Sequence, residues 1–254
     1  MRIARFTTGE DPAYGLVDGA GEKIAEITGD PLYTKIELTG DTHLVEDVRL
    51  LAPVIPRSKV IGIGKNYADH AREMGGEPPA DPLMFLKPTT TVIGPDEAIV
   101  LPPESAEVHY EAELAVVMGR MCRRVTADQA LSMVLGYTCA NDVSARDFQR
   151  SDGQWTRAKG FDTFCPLGPW IETDLDPASV TVECEVNGVT VQSGTTADLI
   201  HPVADLIVAV SAVMTLLPGD VILTGTPAGV GPISAGDEVA VTVGGLGTLV
   251  NPVR

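Results

Sequence analysis

Two glutamates two residues apart open the chemical reading. The stretch EVHYEAELAVVMG, residues 107–119, has the period-2 pattern of a half-buried strand. Val108, Tyr110, Ala112, Leu114 and Val116 fall on one face, and His109, Glu111, Glu113, Ala115 and Val117 on the other. Two carboxylates pointing the same way repel, so water or a cation must offset them. A third carboxylate, Asp142, follows the apolar run MVLGYTCA, where a strand should leave the core. Glu111, Glu113 and Asp142 are oxygen donors of the kind a hard cation takes: Mg²⁺, Mn²⁺ or Ca²⁺. The plain alternative is a strand with one solvated face.

His70 and Glu73 form the second pair. At i and i+3 they share a helix face. A carboxylate beside an imidazole fixes its tautomer and raises its basicity, as a general base requires. A surface helix pair is the simpler account. Lys159, in the Trp-, Phe- and Pro-dense segment QWTRAKGFDTFCPLGPW, and Arg146 before it are cations that could be structural anchors or holders of an anionic substrate. In LTGTPAGVGP, Thr224 and Thr226 could offer hydroxyls, and Gly225 a backbone N–H, to a carboxylate; a tight turn between strands accounts for the same spacing. GIGKNY lacks the dinucleotide fingerprint, and no P-loop lysine is present.

These residues need a scaffold, and the pattern predicts one rich in strands. RIARF, YGLVDG and EKIAEI form a small β-rich unit, residues 1–52, separated from a main domain, 53–254, near Pro53. SKVIGIG, PLMFLKP, EAIVLP and residues 107–119 read as further strands. VTVECEVNGVTVQ reads as a hairpin turning at Asn187-Gly188. DVILTGTP and DEVAVTVGG close the chain as strands. NYADHAREMGG predicts a short helix with Asn66 as N-cap and Asp69 completing a capping box. With glycines on both sides, this helix is expected to be a mobile lid that orders when substrate binds. TADQALSMVLGY predicts a second helix, and HPVADLIVAVSAVMTLLPG the longest one. Strands outnumber helices without βαβ alternation, so the fold class is β-dominated α+β.

Bulk properties narrow the function. With 254 residues the chain can bury about 70–75 % of its unfolded surface and needs no disulfide staple. A net charge of −17 argues against nucleic acid, whose binding rests on Lys and Arg. No run is apolar and long enough to span a bilayer, and MRIARFTTGEDP has no signal-peptide core; a cytoplasmic protein away from membranes is expected. Cys122, Cys139, Cys165 and Cys184 show no zinc-site spacing and read as reduced thiols.

Taken together, VIGIGKNYADHAREMG, PLMFLKP, VHYEAELAVVMGR, GYTCANDVSARDFQ, AKGFDTFCPLGPW, VNG and GDVILTGTPAGVG resemble the fumarylacetoacetate hydrolase family, in the family's order and across residues 59–231. The resemblance implies a β-roll of mixed sheets with a small N-terminal domain, and a homodimer. It implies Mg²⁺ or Mn²⁺, with Ca²⁺ as a further candidate, held by Glu111, Glu113 and Asp142. It puts the lid pair on His70 and Glu73, substrate contacts on Gln149 and Lys159, and the Gly-Thr loop on Gly225 and Thr226. Some larger relatives carry an Asp near Asn66, so a neutral Asn66 implies more water and fewer charges around the cation. The reaction implied is hydrolytic C–C cleavage of a short acylpyruvate or β-diketo acid, with His70 activating water and with the metal and Lys159 stabilising the departing enolate. Decarboxylation or isomerisation of a 2-oxo diacid from aromatic degradation uses the same enolate. A metal-dependent binding protein without turnover is the third reading, and the intact His70–Glu73 pair argues against it.

Overall fold

A computed structural model describes all 254 residues. Two antiparallel-rich sheets carry the molecule. The larger has 12 strands. Its order runs Leu38–Leu44, Lys23–Ile27, Ala13–Val17, Arg2–Thr7, Cys165–Glu172, Val134–Asn141, Ala112–Met118, Val221–Leu223, Val60–Gly64 and Leu83–Lys87. The pairing of Val221–Leu223 with Val60–Gly64 is parallel, which makes the sheet mixed. A second sheet of four strands runs Val189–Thr195, Thr181–Val186, Glu238–Val243 and Gly247–Pro252.

The strand Ala112–Met118 lies in the middle of the larger sheet and every residue in it is buried. Leu114, Val116 and Met118 join one core with Val182, Val241 and Leu249 of the second sheet and Leu206 and Val210 of the helix Val203–Val213. Ala115 and Val117 face a separate core with Val60, Val221 and Leu167. Burying each such Val or Leu contributes about 1.5–3 kcal/mol. The half-buried strand expected from the alternation is therefore covered on both faces, and bulk water does not bathe the two glutamates.

The β-dominated α+β class and the mixed-sheet architecture hold. Several boundaries differ from the sequence expectation. EAIVLP is not a strand; only Ile99 makes a bridge, to Val253. TADQALSMVLGY does not continue as a helix: Ala127–Ala130 is one turn, Leu131–Met133 is 3₁₀, and Val134–Asn141 is a strand. The run of Val, Leu, Tyr and Thr fits a pleated surface between two neighbours, and that packing wins over the short helical start. The strand Gly247–Pro252 is an addition to the expected set; its glycine and proline mask a register with Glu238–Val243 that only pairing specifies. The hairpin at Asn187-Gly188 is as expected, with both residues at positive φ of 53° and 76°. The N-terminal strand Arg2–Thr7 pairs antiparallel with Cys165–Glu172, so the small N-terminal unit extends the larger sheet.

Candidate active site

Pairing register assembles the carboxylates. Ala112–Met118 and Val134–Asn141 run antiparallel with Ala112 opposite Asn141. One step beyond, Asp142 N–H donates to Glu111 C=O at 2.9 Å. Glu111 and Asp142 thus leave adjacent strands side by side, with Glu113 one pleat further along. One oxygen from each of the three carboxylates lies within 4.8 Å of the others, and all three residues are buried. An all-oxygen donor set of this size and charge fits a hard divalent cation, which Glu111, Glu113 and Asp142 would hold.

Three cations surround the same cluster. Lys159 Nζ donates to Glu111 Oε2 at 2.7 Å and to Asp142 Oδ2 at 2.6 Å. Lys87 Nζ donates to Asp142 Oδ1 at 2.5 Å and to Val143 C=O at 3.2 Å. Arg146 Nη2 sits 2.5 Å from Glu111 Oε1 without hydrogen-bond alignment, while Nη1 donates to Gln149 Oε1 at 2.7 Å. All three cations are among the largest fully buried side chains. Buried charges of this kind persist only when paired.

The proton affinities follow from these neighbours. Burial alone would raise the Glu111 carboxyl, but Lys159 and Arg146 outweigh it and hold it well below the usual range. Glu113 goes the other way: burial, then repulsion from Asp142 and Glu111, push it well above the usual range. A bound cation would relieve that repulsion. For Lys159, burial works against the ammonium, but Asp142 and Glu111 more than offset it and keep it protonated.

The loop after Val221–Leu223 steadies Glu113. Gly225 N–H donates to Glu113 Oε2 at 2.7 Å, with Gly225 at φ +105°. A Cβ there would lie 2.8 Å from Asn66 Cβ, so only glycine brings the N–H so close. The carboxylate that Gly225 meets is the protein's own. Thr224 and Thr226 hydroxyls donate to Leu114 and Ala112 carbonyls. Thr226 also lines the cavity and accepts from the buried Gln192 Nε2 at 2.8 Å.

The lid helix is seated. It spans Ala68–Glu73 and buries His70 and Ala71. His70 Nδ1 is 3.1 Å from Glu73 Oε2. Glu73 also accepts from Gly229 N–H at 3.1 Å. The expectation that Asn66 caps this helix is corrected: Tyr67 holds the N-cap position and no side chain caps it. Asn66 instead donates to the His201 and Thr224 carbonyls and accepts from His201 N–H. Main-chain groups of two other loops saturate its amide, and it does not line the cavity.

His70, Glu111, Glu113, Gln149, Lys159 and Thr226 do line one cavity, of about 160 Å³. That is smaller than the ~300–1,000 Å³ of drug-sized sites and suits a compact ligand. Asp142, Arg146, Glu73 and Gly225 stand behind this lining and brace it. Sequence reasoning missed Lys87 and Gln192. Lys87 had a signal, a lone lysine in the apolar strand PLMFLKP; Gln192 had none.

Known proteins place this arrangement. A family model described as fumarylacetoacetate (FAA) hydrolase C-terminal matches residues 59–254, and an Rv2993c-like N-terminal model matches residues 1–53. The structure of 5-carboxymethyl-2-hydroxymuconate delta-isomerase from Mycobacterium smegmatis is 53 % identical, with TM-score 0.93, covering 100 % of this chain and 99 % of that one. The mitochondrial oxaloacetate tautomerase Fahd2a of Rattus norvegicus is 41 % identical over 100 % of this chain and 91 % of its own length. Fumarylpyruvate hydrolase from Pseudomonas aeruginosa, solved with Mn²⁺ and pyruvate, is 33 % identical with TM-score 0.74, covering 77 % of this chain and 89 % of that one. From its sequence, its fold and its buried carboxylate cluster, the chain is a member of the fumarylacetoacetate hydrolase family.

Proposed function

We propose that this chain is a divalent-cation-dependent isomerase or tautomerase that moves a proton at the carbon beside the ketone of a short 2-oxo acid. The observation that carries the reading is His70, which is paired with Glu73 and lines the same cavity as Glu111 and Glu113. A bound Mg²⁺ or Mn²⁺ would supply Lewis-acid polarisation of the substrate's carboxylate and ketone oxygens. Glu73 engages His70 Nδ1, which leaves Nε2 to face substrate. His70 Nε2 then takes the proton from carbon in one direction and returns it in the other, the reversible use of one base that an isomerase needs. The buried Lys159 ammonium offsets negative charge as it develops on the ketone oxygen. The seated helix keeps bulk water from the proton in transit.

Hydrolytic C–C cleavage of an acylpyruvate is the second reading. It uses the same residues, with His70 taking its proton from water rather than from carbon. The Pseudomonas hydrolase supports it, while the isomerase and tautomerase relatives, at higher identity, support proton transfer at least as well. Decarboxylation of a 2-oxo diacid would need the same charge stabilisation. One assay separates them: proton NMR in D₂O with oxaloacetate and acetylpyruvate, with millimolar Mg²⁺ and with chelator. Cation-dependent deuterium uptake at carbon 3, without cleavage products, is expected. Exchange no faster than buffer with cation, for both acids, would sink the proposal; acetate and pyruvate from acetylpyruvate would establish hydrolysis instead.

A further inference from the structure

The cavity wall holds one cation that nothing neutralises. Three basic side chains line the cavity: Lys65, Arg150 and Lys159. Lys159 is committed to Glu111 and Asp142. Arg150 is ion-paired with Glu107, and that partner raises its proton affinity further. Lys65 is half-buried and makes no ion pair and no side-chain hydrogen bond, in a chain of net charge −17. What sets Lys65 apart from the other unpaired basic side chains is its place on the cavity wall, beside Glu111, Glu113 and His70.

The backbone holds Lys65 there at some cost. Lys65 has φ 57°, in the left-handed region where a non-glycine residue is strained by about 1–3 kcal/mol. It sits between the buried strand Val60–Gly64 and the lid helix. On one side Trp155, which also lines the cavity, packs where a Cβ of Gly64 would be, 2.5 Å away. On the other, the ammonium rests over Gly76, just past the end of the lid helix, where a Cβ would be 2.9 Å from Nζ. Strain that persists in a site wall marks a side chain being aimed.

The geometry points to Lys65 as the group that binds the far carboxylate of a 2-oxo dicarboxylate. The inference rests on the functional reading above and deepens it: the substrate class is a short dianion, with its 2-oxo acid end toward Glu111, Glu113 and Lys159 and its second carboxylate toward Lys65. Salt bridging by Lys65 also ties the substrate to the C-terminal end of the lid, so a dianion favours the seated helix over a monoanion.

Lys65→Met and Lys65→Arg, in the full chain with millimolar Mg²⁺, test it. Two readouts are needed: KM and kcat for oxaloacetate against acetylpyruvate, and calorimetric affinity for 2-oxoglutarate against 2-oxobutyrate. A charged hydrogen bond of this type carries about 10- to 100-fold in affinity. Lys65→Met should therefore shift the diacid-to-monoacid ratio of KM, and of calorimetric Kd, by about that factor, with kcat affected less. Lys65→Arg should keep most of the preference. Equal weakening toward both acids would mean that Lys65 only caps the lid helix, and no change would mean that it is a bystander; either overturns the assignment and leaves the proton-transfer reading intact. A wild-type protein that neither binds nor turns over any of the four acids with Mg²⁺ or Mn²⁺ would overturn both together.

Discussion

The carboxylate end of the cavity and its lid are built on opposite terms. Glu111, Glu113 and Asp142 leave strands buried on both faces; Lys87, Arg146 and the Gly225 N–H brace them from behind and Lys159 from the cavity side. His70 and Glu73 stand on a six-residue helix with no side-chain cap. Helices below ~12–15 residues are marginal alone, so this one depends on docking through Tyr67, Ala71 and the Glu73–Gly229 contact. The difference teaches a division of labour. Charges that must not move are placed where relaxation is most expensive, and the proton-carrying group is placed where substrate can enter past it.

The rigid end should fail most completely. In Glu113→Gln the amide oxygen still accepts from Gly225 N–H, but the charge is gone. Thermal stabilisation by millimolar Mg²⁺ or Mn²⁺, which follows from binding the native state, should disappear. Activity should fall by at least about 10³-fold, the several kcal/mol that a cation contributes. An undiminished Mg²⁺-dependent rise in melting temperature would remove Glu113 from the cation site.

His70→Ala separates the two regions. We expect kcat to drop by about 10²–10³-fold, in the range for a lost general base, while the Mg²⁺-dependent melting shift is kept. A mutant with wild-type turnover would take His70 out of the mechanism. Loss of the cation shift as well would mean that lid and carboxylates are one unit, which breaks the comparison.

Lys87→Met tests the bracing itself. It leaves the Asp142 Oδ1 that Lys87 contacts without its partner inside the core. Removing one member of a buried pair costs about 3–5 kcal/mol. Chemical denaturation with chelator should show that loss, and saturating Mg²⁺ should recover part of it by supplying the missing positive charge. Equal losses with and without cation would show that Lys87 and the cation do not share Asp142.

The smallest effect concerns the lid. Amide exchange across residues 66–76 should slow on adding oxalate to the Mg²⁺ form, while residues 112–118 should be equally protected in both. Strong, identical protection of both segments would make the helix a fixed part of the fold and end the gating idea.

Local chemistry was readable without coordinates. Glu111 and Glu113 share a strand face because the side-chain period is two, and His70 and Glu73 share a helix face because they are three apart. The Asn187-Gly188 turn, the helix Val203–Val213 and most strands are likewise set by residues near one another in the chain. What failed was whatever a distant partner decides. The second half of the helix expected after Thr126 is a strand from Val134 because it lies between two others, and Gly247–Pro252 is a strand because Glu238–Val243 pairs with it. Asn66 looked like a cap and is a clamp, since its partners are 135 and 158 residues away. The sequence by itself determined which acids, bases and turns the protein owns. Long-range pairing alone brings Asp142 to Glu111, lets Lys87 brace Asp142 across 55 residues, and buries both faces of the central strand. The physical reason is that periodicity is a local property, whereas register and burial are set by pairing between segments far apart in the chain.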